Sequence, residues 1–366
     1  MPSAKTITIV GGGLAGLTLA IRLRQHAIPV IVWEEGRYPR HRVCGEFISG
    51  QGQKVLGRIG LCEPLLAAGA VPAHTARFIF EPAQSPLRQL PAPALAVSRF
   101  TLDSFLADHF RLLGGELRAS QRWPEGPSGD GIVCAAGRRR QPVEGGWRWF
   151  GLKAHATNLP LNADLEMHAL ANGYLGLTRL TNGEVNVCGL FRRPAGALEP
   201  LAKSGPAHQP GRPHSESGAG LGALLAMVRS SSNSLEERLR NAAFVSESFC
   251  SVAGLPLRPQ RARDQAECRI GDALTMIPPV TGNGMSMAFE AADLAADPLA
   301  AWSRAEISWA AARQAIARAC DQTFHRRLAW ARWLQRLMFA PSLRRSLVVP
   351  LIQSEWFWRL MFARTR

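Results

Sequence analysis

The chain has 366 residues, 46% of them hydrophobic, enough to bury more than one core, and a net charge of +15 that makes nucleic acid and anionic membrane the first partners to consider. Its seven cysteines show neither C-x-x-C pairs nor histidine spacing, which argues against a zinc site, and their odd number argues against a disulfide framework. No apolar run approaches the ~20 residues that span a bilayer, and no zinc-finger, helix-turn-helix or RNA-binding signature accompanies the charge, so neither an integral membrane protein nor a nucleic-acid binder is expected.

In chain order, Thr6-Ile7-Thr8-Ile9-Val10 reads as a buried parallel strand, followed by Gly11-Gly12-Gly13-Leu14-Ala15-Gly16 and a helical pattern from Leu17 to Leu23. Gly11 permits a tight turn, Gly13 lets a pyrophosphate approach the backbone, and Gly16 allows close helix–strand packing. The next apolar strand, Val30 to Trp33, ends at Glu34, about 20 residues beyond the glycines, where an acid grips an adenosine ribose. Strand, glycine turn, helix and acid together predict a dinucleotide site. Lys5 before a stretch of small apolar residues also fits a secretory leader, but cleavage would destroy the turn and strand Glu34 without a role, so the protein is expected in the cytoplasm.

Further along, Ala76 to Phe80 reads as a strand, and Leu102 to about Leu113 as a helix ended by Gly114-Gly115. Glu116-Leu117-Arg118 follows as a short return strand, and Ile132-Val133-Cys134 as another, before Ala135-Ala136-Gly137. Trp147 to Lys153 and Leu165 to His168 begin a strand-rich region. Tyr174 to Leu180 and Val185 to Phe191 form a hairpin whose Asn182-Gly183 supplies positive φ angles. The Gly-, Pro- and Ser-rich passage from Pro194 to about Leu221 is expected to be a loop excursion. Gly271 and Asp272 then close an apolar run, Pro278-Pro279 stiffens a loop, and Thr281-Gly282-Asn283-Gly284-Met285 opens an apolar helix whose start stabilises negative charge.

From Ala301 onward twelve arginines face only Glu306, Asp321 and Glu355, with Trp302, Trp309, Trp330, Trp333, Trp356 and Trp358 among them. This is a membrane-interface composition. Leu334, Leu337, Met338 and Leu347 to Leu351 are expected to pack inward, leaving Arg326, Arg327, Arg336, Arg344 and Arg345 for anionic lipid. The plainer reading is that these helices complete the core and their arginines are solvated.

Several of these passages resemble one family, the FAD-dependent oxidoreductases that include geranylgeranyl reductases and aromatic hydroxylases. The resemblance rests on the glycine turn, on Glu34-Glu35-Gly36-Arg37-Tyr38-Pro39-Arg40 with Val43-Cys44-Gly45-Glu46, on Ser98-Arg99 with Leu102-Asp103, and on 270–291. It implies an α/β protein: a Rossmann-like FAD-binding domain built from 1–75, 95–140 and 258–300, an antiparallel β-rich substrate domain from 76–94 and 141–257, and a helical C-terminal region, 301–366. It implies FAD held by Gly11, Gly13, Gly16, Glu34, Arg40, Arg99, Gly271, Asp272, Pro279, Gly282, Asn283, Gly284 and Met285, with NADPH or NADH as electron donor and no metal. Cys44 is the catalytic candidate because in the family a cysteine approaches the flavin face, although cysteine is also a common buried small residue. His41 and His168 could donate protons, and lone histidines equally serve structure.

The reaction is less marked than the cofactor. Relatives carry an acid where this chain has Ala136, and hydroxylases carry a histidine where it has Leu274 and Thr275; both differences favour hydride transfer to a hydrophobic substrate, whereas Pro278-Pro279 leans toward hydroxylation. Trp147-Arg148-Trp149 imitates half of a halogenase motif but continues Phe150-Gly151, and is read as strand packing. The alternatives are an FAD-dependent monooxygenase acting on an aromatic or polyketide substrate, and a non-catalytic flavin-binding protein associated with the membrane.

Overall fold

The computed structural model describes residues 4–81, 83–124, 126, 129–196, 222, 224–229, 232–339 and 349–366. It opens with β1 (Ile7–Val10), α1 (Leu14–Gln25), β2 (Val30–Glu34), β3 (Phe47–Ile48) and the short helices α2 (Gln51–Arg58) and α3 (Cys62–Ala67). Next come β4 (Val71–Phe80), β5 (Ala83–Gln84), β6 (Arg88–Ala96), α4 (Arg99–Leu112), β7 (Glu116–Ala119) and β8 (Ile132–Cys134). Then follow β9 (Trp147–Thr157), β10 (Leu165–Leu170), β11 (Gly173–Arg179), β12 (Val185–Pro194), α5 (Asn233–Arg240) and β13 (Ala243–Ala253). The chain closes with β14 (Cys268–Arg269) and α6 (Gly284–Ser303), α7 (Trp309–Met338), α8 (Val349–Gln353) and α9 (Glu355–Thr365).

The apolar run at Ile7–Val10 becomes the centre of a five-stranded parallel sheet in the order β14-β8-β1-β2-β7. Such strands are covered on both faces, which is why the run is apolar rather than alternating. Ile7, Ile9, Val30 and Val32 are buried, and α1 and α6 join them in one core that also takes in α4 and α7.

A second sheet follows the order β13-β9-β12-β11-β10-β4-β6-β3, with β5 beside β4. Its pairs are antiparallel except β10–β4. β3 belongs to this sheet, paired with β6. The β11–β12 hairpin turns through Asn182 and Gly183 with φ of 54° and 74°, the backbone an Asn-Gly pair adopts most readily. Of the loop excursion expected from Pro194 to Leu221, residues 197–221 lie outside the described residues.

Strand periodicity gives the second sheet two unlike faces. Phe150, Leu152, Ala156, Leu177 and Val187 point to one side, where Leu224, Val228, Leu235 and Leu239 cover them. Trp149, Gly151, Lys153 and His155 alternate with them and turn toward the first sheet.

The C-terminal helices differ from expectation in one respect. Arg327 is not offered to solvent: it is buried and forms a bidentate pair with Glu290 of α6, at 2.6 and 3.0 Å. Trp302 and Trp309 are likewise buried, edge to face with centroids 5.0 Å apart. Leu334, Leu337 and Met338 turn inward to a cavity, while Arg344, Arg345 and Leu347 lie outside the described residues. Among the described residues no helix is long and apolar enough to cross a membrane. Removing one partner of a buried pair leaves an uncompensated charge, so Arg327→Met is expected to cost about 3–5 kcal/mol. Denaturant midpoints should show most of that loss recovered in Arg327→Met/Glu290→Leu; additive losses in the double variant would contradict the pairing.

Candidate active-site cavity

One cavity of about 2590 Å³ runs between the two sheets and under the C-terminal helices. A site for one drug-sized ligand occupies roughly 300–1,000 Å³, so the volume suits a large cofactor together with a second molecule.

The glycine turn lies at one end. Gly11 has φ of 111°, and a Cβ there would stand 2.4 Å from the Ala135 carbonyl oxygen; a Cβ on Gly16 would stand 1.9 Å from that of Gly11. Both glycines are therefore required for close packing. A Cβ on Gly13 would meet nothing within 4 Å, because this position faces the open cavity.

Some helix starts in this fold are closed by side chains and others, such as that of α2, are left open. Ser98, Ser232, Ser308 and Ser354 cap α4, α5, α7 and α9 through their side chains. α1 and α6 have no side-chain cap and no acid in the first turn, and both begin at the cavity. Their free N–H groups and positive dipole ends make two anion-favouring points in one space.

The remaining expected residues are placed as follows. Glu34 spends its carboxylate on the protein itself: Oε2 accepts from the Gly12 N–H at 2.9 Å, and Oε1 accepts from the Gly36 N–H at 2.7 Å and from Arg40 at 2.6 Å. The acid thus fixes the turn and anchors Arg40. Arg99 lines the cavity but binds Asp103 through two bonds of 2.7 and 2.8 Å. Gly271 takes φ of 59°, and Asp272 exposes its carboxylate to the cavity near Arg138. Pro279, Gly282, Gly284 and Met285 line the cavity as well. Asn283 does not present its side chain there; it is buried and donates to the Thr365 carbonyl.

Cys44 faces the cavity, and the Glu46 N–H approaches its sulfur at 3.5 Å. Burial pushes the Cys44 thiol up, outweighing the neighbouring Arg99. The group is therefore a proton-bearing thiol at neutral pH rather than a thiolate nucleophile.

Behind Cys44 lies a cluster the motifs did not disclose. Glu46 and Lys153 are each 0% exposed, with Nζ 3.2 Å from Oε1. His155 Nε2 lies 2.7 Å from the other Glu46 oxygen, the Arg99 N–H donates to Oε1 at 2.8 Å, and Lys153 meets His41 Nδ1 at 2.9 Å. Burial opposes ionisation of Glu46, but His155, Lys153 and the Arg99 N–H together hold its carboxyl below the usual range. Glu46 also occupies the left-handed region at φ of 55°, a cost of about 1–2 kcal/mol that these contacts offset. The available signal was Lys153-x-His155, two ionisable side chains on one face of a largely buried strand. His168 is tied to Glu166 at 3.0 Å and takes no part in the cavity.

Comparison with known proteins agrees with this geometry. Residues 9–45 match the family described as NAD(P)-binding Rossmann-like domain. Over 114 residues the chain is 32% identical to the rifampicin monooxygenase of Streptomyces venezuelae, an alignment covering 31% of this chain and 24% of that protein. The flavin-dependent brominase Bmp2 superimposes with a TM-score of 0.72 at 17% identity, covering 100% of this chain and 94% of the brominase. A geranylgeranyl bacteriochlorophyll reductase-like protein from Thermoplasma acidophilum gives 0.69 at 14%, covering 99% and 96%. PqsL, a probable FAD-dependent monooxygenase from Pseudomonas aeruginosa, gives 0.66 at 15%, covering 99% and 98%. The chain shares the fold of these solved structures. At these identities the brominase likeness is one of fold, and the Trp147-Arg148-Trp149 run sits in β9 as a packed strand.

The cluster also has a pH signature. Burial, then the adjacent Lys153 and His155, lower the His41 pKa from 6.5 to about 4, with Glu46 opposing. Between those values the unfolded chain binds more protons at His41 than the folded one, so this contribution is complete above pH 6.5 and lost as pH falls toward 4. Urea midpoints should fall between pH 7 and 4.5, and His41→Gln should flatten that fall; parallel pH profiles for the two proteins would contradict the assignment.

Proposed function

We propose that this protein is an FAD-dependent oxidoreductase that reduces a hydrophobic substrate, of polyprenyl, polyketide or lipid-like character, by hydride transfer, with NADPH or NADH as electron donor. The observation that carries the reading is the pairing, within one cavity, of two uncapped helix starts with an apolar wall of Trp149, Tyr174, Leu190, Met276, Met338 and Ile352. The residues present fit the cofactor. Gly13 and the first N–H groups of α1 would hold the pyrophosphate, Asp272 a ribityl hydroxyl, and the N–H groups of Gly284 and Met285 the electron-rich edge of the ring system. When bound, FAD supplies the two-electron chemistry, which no side chain here provides.

The chain's own part is to orient, shield and handle protons. Glu46, Lys153 and His155 fix the backbone that presents Cys44, and the Cys44 thiol holds a proton at the cavity surface. The apolar wall excludes water from the substrate space. Ala136 and Leu274, standing where hydroxylases have an acid and a histidine, favour reduction over oxygen insertion. Hydroxylation is the second reading, supported by the local identity to a rifampicin monooxygenase. Turnover under labelled dioxygen should leave the product free of label; one labelled oxygen atom per product would establish hydroxylation instead.

We propose in addition that the C-terminal helices dock on anionic membrane. Trp333 is 44% and Trp356 71% exposed, and Arg326, Arg336, Arg359 and Arg364 are exposed on the same two helices. Phe357, Trp358, Met361 and Phe362 of α9 line the cavity, so a lipid-soluble substrate would have a short path from bilayer to site. Trp356→Ser/Arg336→Gln should co-sediment less with anionic vesicles than wild type at low salt. Equal sedimentation of wild type with neutral and anionic vesicles would contradict docking.

A further inference from the structure

The cavity face of the second sheet is ordered in rows, because directly paired residues of antiparallel strands share a face. Thr178, Asn186 and His155 mark a polar end. The next row is Gly176, Cys188, Lys153 and Cys250, and the one after it Tyr174, Leu190, Gly151 and Val252. Arg192 and Trp149 follow. Tyr174 thus stands in an apolar row beyond the Lys153 row, and the Arg192 guanidinium of the row after it lies over the Trp147, Trp149 and Phe339 rings.

Tyr174 is 4% exposed and lines the cavity, yet its hydroxyl has no hydrogen-bond partner among the described residues. Leu190, Trp149, Met276 and Phe339 surround it in the same apolar cluster, with the Phe339 ring edge to face at 6.2 Å. A buried hydroxyl left unpaired is destabilising, and phenylalanine would fill the same space without that cost. Burial keeps the phenol protonated well above its ordinary range, so it is available as a donor.

Building on the reading that a lipophilic substrate shares this cavity with the cofactor, we infer that the Tyr174 hydroxyl donates a hydrogen bond to a carbonyl or hydroxyl oxygen of that substrate. The ligand class is thus an oxygenated lipophile rather than a pure hydrocarbon. The Tyr174 row lies about 7 Å, two strand residues, along the sheet from the Lys153 row that holds the Cys44–Glu46 segment. Binding orients the molecule with its oxygen at Tyr174 and the reacting portion toward Cys44.

The test uses two probes of one shape that differ by one carbonyl oxygen, 1-acetylnaphthalene and 1-ethylnaphthalene, with affinities measured by equilibrium dialysis on wild type and Tyr174→Phe. The variant should bind the ketone about three- to tenfold more weakly, the worth of one net hydrogen bond, and the hydrocarbon within twofold. Equal changes for both probes, no change for either, or no binding of the ketone by wild type would overturn the inference. Visible absorbance of the same samples reads the cofactor separately. A colourless protein that keeps the ketone effect would overturn the FAD reading while leaving the Tyr174 subsite in place.

Discussion

Unpaired backbone N–H groups at the starts of α1 and α6 are the constraint around which the site is arranged. A helix start left open is normally closed by a serine or aspartate, and this chain closes four of its helices that way. Among the starts it leaves open, those of α1 and α6 both face one cavity, and the local sequence keeps them clear: glycines at 11 and 13 on one side, and Gly282 with Gly284 on the other. An anionic ligand is the natural partner for such groups.

Holding the cavity open has structural consequences. The segment that carries Cys44 crosses from the first sheet to the second, and its backbone is fixed by a carboxylate in left-handed conformation, ringed by Lys153, His155 and the Arg99 N–H. Buried charge of this kind is tolerable only when every partner is present. The same economy governs Glu34, whose oxygens hold the glycine turn and Arg40, and Glu290, which neutralises Arg327 between α6 and α7. The Glu46 and Glu290 pairs join elements remote in sequence, and Glu34 ties the glycine turn to the segment that follows β2.

What could be read from the sequence follows the range of the interaction. The glycine turn, the strand ending at Glu34, the Asn182-Gly183 hairpin and the open start of α6 are specified within a few neighbouring residues. The Glu46–Lys153–His155 cluster is not, because it depends on the register of β9 against a loop about a hundred residues earlier in the chain. Arg327 was misread for a related reason: an arginine on an amphipathic helix looks solvated until its carboxylate partner, Glu290 on another helix, is located. Arg99 and Asn283 occupy the expected neighbourhood, yet their side chains are engaged by Asp103 and the Thr365 carbonyl, which motif spacing could not disclose.

The central claim is that the two open helix starts bind FAD, and the most direct measurement is flavin released from purified protein by acid and resolved by chromatography. The account predicts FAD, not FMN, approaching one per chain, and a large drop in Gly13→Val, whose side chain would occupy the space open to the pyrophosphate. A colourless protein that fails to take up added FAD, or a Gly13→Val variant with undiminished FAD, would contradict it.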